Sequence, residues 1–140
     1  MHMDAAGLQR VPLFSGLSVE EASGVLGTAK ERDYPEGDRI VRQGQEGGRG
    51  FYLVVEGRVR VSTGSTTLAE FGPGEYFGEM ALLLDDTPRT ADVTATTAVR
   101  ALVITQWDFR ALIKTHPDIG VKLMAELARR LRDTDATVAD

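Results

Sequence analysis

Between Tyr34 and Thr105 the chain is paced by glycine, and this limits its fold more than any other feature. Short runs rich in β-branched and aromatic residues follow one another: RIV (39–41), FYLVV (51–55), RVRVS (58–62), TTLAEF (66–71), ADVTA (91–95) and RALVIT (100–105). Turn residues separate them at Pro35-Glu36-Gly37, Gln43-Gly44, Glu56-Gly57, Thr63-Gly64-Ser65 and Gly72-Pro73-Gly74. Evenly spaced short strands with such punctuation indicate an antiparallel barrel, sandwich or roll. Arg58-Val59-Arg60-Val61 alternates with period two, which turns Val59 and Val61 inward.

Helices flank this core. Ser18 and Glu21 have the spacing of a capping box, and Ala22, Val25, Leu26 and Ala29 follow at helical intervals, so a helix ending near Lys30 is expected. Trp107 to Ile113 forms a short amphipathic piece with Trp107 as its packing anchor, stopped by His116-Pro117. A longer helix runs over 118–138. Ile119, Leu123, Met124, Leu127, Leu131 and Val138 fall mostly on one of its faces, and Met124, Leu127, Leu131 and Val138 offer a dimer seam. Residues 1–12 show no periodic pattern and read as an N-terminal tail, which leaves 13–140 as one domain. The fold class is mainly β: an antiparallel β-roll with an N-terminal helix and two C-terminal helices.

Composition narrows the chemistry. The chain has 140 residues, enough to bury a core without staples, and no cysteine. Disulfides, thiolate zinc sites, iron–sulfur clusters and a cysteine nucleophile are therefore excluded. His2 and His116 are the sole histidines, too few for a multi-histidine metal centre. A net charge of −5 argues against a DNA-coating surface. No stretch has the length of a membrane span, and no basic segment leads into an apolar run at the N-terminus, so a soluble, cytoplasmic protein is expected. The motifs of phosphate-binding loops, serine hydrolases and zinc proteases are missing. Gly72, Gly74 and Gly78 are spaced one residue too widely for a dinucleotide loop. No enzymatic activity is expected.

The informative stretch is FGEMALLLDDTPRTA, residues 77–91. Gly78 permits close backbone approach and opens a short helical turn from Glu79, whose free N–H groups form an anion site. Arg89, after the stiffening Pro88, brings the side chain best shaped to grip phosphate oxygens. Glu79 would repel a phosphate unless its carboxylate accepts a hydrogen bond from something else, and a sugar hydroxyl suits that role. Together these groups suggest a sugar-phosphate ligand.

This stretch resembles the phosphate-binding cassette of the cyclic nucleotide-binding domain family, F-G-E-x-A-L followed by P-R-[ST/A]-A. Gly37, Gly44, Gly57, Gly74 and Gly78 match that family's turns, and HPDI…LARRL is similar to its bacterial catabolite-activator branch. The resemblance implies that Glu79 holds the ribose 2′-hydroxyl. It assigns the cyclic phosphate to Arg89, helped by N–H groups at Gly78, Met80 and Ala81. Thr90 and Ala91 would complete the phosphate and purine surroundings, and Val61, Leu68 and Phe71 would line the apolar side. On the last helix, Arg130 would lie near Glu79 and Thr134 would reach the purine; Asp135 stands where the catabolite activator has a serine. The implied ligand is cAMP, with cGMP the alternative, and no further cofactor.

Blander readings compete. Arg89 alone suits a solvated surface, Glu79 a helix-dipole carboxylate, Thr90 an ordinary strand position, and Val61, Leu68 and Phe71 plain core. Their combination favours a non-catalytic sensor. The alternatives are a ligand-free β-roll serving as an interaction scaffold and the excised sensor half of a transcription regulator; a cupin-type enzyme lacks its strand histidines. Expected partners are the nucleotide and a second copy through the C-terminal helix, with no DNA bound by this chain alone and no membrane.

Overall fold

The computed structural model describes residues 3–42, 50–78 and 91–139, with side chains of the last helix described to residue 133. Among the described residues the elements in chain order are α1 (Ala5–Gln9), a 3-10 turn (Pro12–Phe14), α2 (Val19–Thr28), then eight strands: β1 (Lys30–Tyr34), β2 (Arg39–Val41), β3 (Gly50–Glu56), β4 (Val59–Thr63), β5 (Thr66–Phe71), β6 (Tyr76–Phe77), β7 (Asp92–Ala95) and β8 (Val99–Thr105). Two helices follow, α3 (Gln106–Thr115) and α4 (Pro117–Ala139). The strands form two antiparallel four-stranded sheets, ordered β1-β8-β3-β6 and β2-β7-β4-β5. This is the expected β-roll with flanking helices.

β3 explains how the layers stack. Phe51 and Leu53 point toward the helices, into a core with Leu8, Phe14, Leu102, Ile104, Phe109, Ile119 and Leu123. Tyr52 and Val54 point the other way, into the core between the sheets with Val41, Val59, Phe77, Val93 and Ala95. A strand buried on both faces needs a continuous apolar run, and FYLVV is one. Phe51 is fully buried, stacks on Phe109 at 4.6 Å and meets Phe14 edge-on at 6.2 Å. Burying such a side chain contributes about 1.5–3 kcal/mol. Between β3 and β4, Gly57 has φ +88°, and a Cβ there would run into the Ala98 carbonyl, so glycine alone fits.

The capping box at α2 is present: Glu21 N–H donates to Ser18 Oγ (3.1 Å), and Ser18 N–H donates to Glu21 Oε1 (2.9 Å). The helix stops at Thr28 rather than near Lys30, because Ala29 is already extended (φ −90°, ψ 162°) and leads into β1. The residues expected as a tail contribute structure. Asp4 caps α1 by accepting from Gly7 N–H at 2.7 Å, and Leu8 and Val11 are buried in the helix-side core.

Two packing expectations are corrected. Trp107 is not an anchor: it is 68% exposed, with Arg110 5.7 Å from its ring, and Phe109 takes the buried place. Thr105 sets this rotation by accepting from Asp108 N–H at 3.1 Å, which fixes the first turn of α3. On α4 the apolar residues divide between two faces. Ile119 and Leu123 are buried with Leu127 at the margin, whereas Val121, Met124 and Leu131 are exposed, and the side chain of Val138 lies outside the described residues. At ~100° per residue these are distinct stripes of the helix.

Candidate functional site

The two ends of the cassette are positioned by different sheets. Gly78 follows β6, the edge of one sheet, with φ +90°, and a Cβ there would collide with the Gly50 carbonyl and crowd the Tyr52 ring. Ala91, 9% exposed, precedes β7, whose Asp92 and Val93 face Ser62 and Val61 across the second sheet. Residues 79–90 thus connect the two sheets. Glu79, Met80, Ala81, Arg89 and Thr90 lie outside the described residues.

The residues read as the apolar side of the pocket fall on β4 and β5. Val61 and Phe71 are half-buried and pack against the core between the sheets. Leu68 is different. Val61 pairs with Ala69 and Ser62 with Thr67, so Leu68 is the extra residue of a β-bulge and stands 59% exposed.

Arg130 meets this wall from α4. Its guanidinium carbon is 5.2 Å from the ring centroid of Phe71 and 5.2 Å from that of Tyr76. Its Nε is 3.4 Å from Glu126 Oε1, one helical turn earlier. Glu126 also accepts from Arg129 at 3.0 Å. Thr134 lies on α4 one turn beyond Arg130, and its side chain is outside the described set. The structure therefore brings Arg130 and Phe71 together and adds Tyr76, which sequence reasoning missed. A buried aromatic in a two-residue strand carries no periodicity to mark it.

Other parts of the surface are separate from this wall. A hollow of about 640 Å³ lies over Tyr34, Tyr52, Val103 and Thr105, and among the described residues none of the sequence-predicted site residues lines it. There burial, and secondarily the Tyr52 phenol, push the Tyr34 phenol above its usual range. Among the described residues no group of three or more His, Asp or Glu could hold a metal ion, and no helix is long and apolar enough to cross a membrane.

Comparison with known proteins supplies the family. A profile of the cyclic nucleotide-binding domain matches residues 31–116, from within β1 through α3. The chain belongs to the cyclic nucleotide-binding domain family. It is 42% identical over 129 residues to the cyclic AMP receptor protein of Thermus thermophilus, covering 89% of this chain and 59% of that one. The crystal structure of the Thermus thermophilus catabolite activator protein superposes with a TM-score of 0.80 at 42% identity, covering 91% of this chain and 61% of that one. The N-terminal domain of a Streptomyces coelicolor transcriptional regulator gives 0.69 at 33% identity, covering 94% of each chain. This chain thus spans about three fifths of the curated receptors and regulators it matches. Those relatives are regulatory proteins by name. As a cyclic nucleotide-binding domain, this chain has its family's β-roll.

Proposed function

We propose that this chain is a non-catalytic regulatory domain that binds cAMP through the cassette and reports occupancy through α4. One observation supports this reading above the rest. The helix that continues to Thr134 is docked, through Arg130, on Phe71, the residue expected to line the pocket. A ligand shifts an equilibrium only by binding one arrangement better than another, and a helix in contact with the pocket wall supplies that difference. Within the reading, Arg89 neutralises the cyclic phosphate with N–H groups of Gly78, Met80 and Ala81, and Glu79 accepts from the ribose 2′-hydroxyl. Thr90 and Ala91 border the phosphate, Val61, Leu68 and Phe71 cover the apolar side, and Thr134 reaches the purine. The exposed Val121, Met124 and Leu131 make α4 the surface for a second copy.

The test is titration calorimetry with cAMP, cGMP and AMP. The reading expects a preference for cAMP and a loss of ~30- to 5,000-fold in Arg89→Ala, from truncating one partner of a desolvated charge pair. Equal affinities for wild type and variant would remove the phosphate role from Arg89. A preference for cGMP that vanishes in Thr90→Ala would change the ligand.

A further inference from the structure

The two rings against Arg130 come from different sheets. Phe71 ends β5, in the β2-β7-β4-β5 sheet, while Tyr76 opens β6 in the other. Tyr76 is 7% exposed and lies 5.1 Å from Phe51, which in turn stacks on Phe109 of α3. Phe71 is only half-buried and belongs to the margin of the core between the sheets. A guanidinium suits this place. It is planar and weakly hydrated, so its face can rest on aromatic rings while its N–H edge reaches a carboxylate. Glu126 takes that edge.

We infer that Phe71 and Tyr76 form a two-ring seat for Arg130 that sets the position of α4, with Tyr76 the positioning residue that ties the seat to the helix-side core. Phe71 is shared. On the cAMP reading proposed above, on which this second half rests, the same ring faces the nucleotide and the guanidinium. A ligand that reorients Phe71 then moves α4 directly.

The seat is tested first without nucleotide, by hydrogen exchange of the whole chain. Residues 124–133 are the reporter, and 51–55 and 101–104 are the internal reference. Arg130→Met keeps an unbranched stem and removes the cation. It should exchange ~3- to 30-fold faster in the reporter, the span of a cation–π contact, with the reference unchanged. Arg130→Lys keeps the charge and should recover part of the protection. Tyr76→Leu should match Arg130→Met in the reporter, judged against 101–104 because Tyr76 packs on Phe51 of the other reference stretch, and the double variant should be no worse there than the poorer single variant. Unchanged exchange in Arg130→Met, or strictly additive effects in the double variant, would overturn the seat. Arg130→Met perturbs only a partly exposed side chain, so the result stands even if Tyr76→Leu fails to fold.

The second arm adds cAMP to wild type and to Phe71→Leu. The shared ring requires that Phe71→Leu bind cAMP while the nucleotide no longer changes exchange over 124–133. Full transmission through Phe71→Leu overturns the shared-ring half. Failure of wild type to bind cAMP overturns that half together with the proposed ligand, and the first arm alone then decides the seat.

Discussion

His116 Nδ1 stands 3.2 Å from Glu21 Oε2, so the corner between α3 and α4 is tied to the first turn of α2. Glu21 is the same carboxylate that closes the capping box with Ser18. One side chain therefore serves a helix end and the corner from which the long helix departs.

That double use has a pH consequence. The Ser18 backbone and side-chain hydrogen bonds, and to a lesser extent His116, hold the Glu21 carboxyl below its ordinary value. A carboxylate whose folded pKa is depressed contributes stability above its unfolded pKa and loses it as pH falls through the folded one. Urea denaturation of wild type and Glu21→Gln across the acid range should show wild type ahead at neutral pH. The gap should close as the medium drops below the ordinary glutamate range. A gap that persists undiminished at the acid end would assign the difference to shape, not charge.

Two glycines with nearly the same backbone should respond differently to alanine. Gly74 has φ +87° and open space where a Cβ would go, whereas Gly78 has φ +90° and the Gly50 carbonyl in the way. Gly74→Ala should lose about 1–2 kcal/mol, the left-handed penalty alone. Gly78→Ala should lose a further ~1–3 kcal/mol of overpacking and displace the start of the cassette. Chemical denaturation measures the first quantity, and cAMP titration reads the second. Equal losses would mean that Gly78 is chosen for φ only.

The corrected anchor of α3 gives a sharper contrast. Phe109→Ala removes a fully buried ring stacked on Phe51 and should cost about 3–5 kcal/mol. Trp107→Ala removes a larger ring that is 68% exposed and should stay within about 0.5 kcal/mol of wild type. Comparable losses would restore Trp107 as a packing residue.

These cases show what the residues reveal before folding. β3 was legible because a strand buried on both faces must be continuously apolar, β8 because Ala101 to Ile104 is an apolar run, and the α2 start because Ser18 and Glu21 are a local pair. β1 was not, since Lys30-Glu31-Arg32-Asp33-Tyr34 carries the charges of an edge strand and becomes a strand by pairing with β8. α1 is five residues long, too short to show a period. For α3 the amphipathic pattern was visible, but its rotation depended on the Thr105 cap, which decides between Phe109 and its larger neighbour. Phe71 and Arg130 were reached through resemblance, whereas Tyr76 depends on three-dimensional neighbours that no spacing records.

The exposed stripe of α4 leads to the last prediction. Val121, Met124, Ala128 and Leu131 recur at intervals of three, four and three, the a/d spacing of a two-helix seam. They are exposed, while Ile119 and Leu123 on the neighbouring face are buried against the domain. The helix thus docks with one stripe and leaves another exposed, the stripe that the proposed reading gives to a second copy. Sedimentation equilibrium should show wild type self-associating and the Met124→Glu, Leu131→Glu double variant remaining monomeric. Because those side chains touch solvent, the intrinsic stability of the variant's protomer should stay within about 0.5 kcal/mol of wild type. Leu123→Ala should do the reverse, losing about 2–5 kcal/mol of stability while leaving the exposed stripe intact. A wild type that stays monomeric up to its solubility limit would remove the seam. An unfolded double variant would instead show that this stripe supports the domain itself.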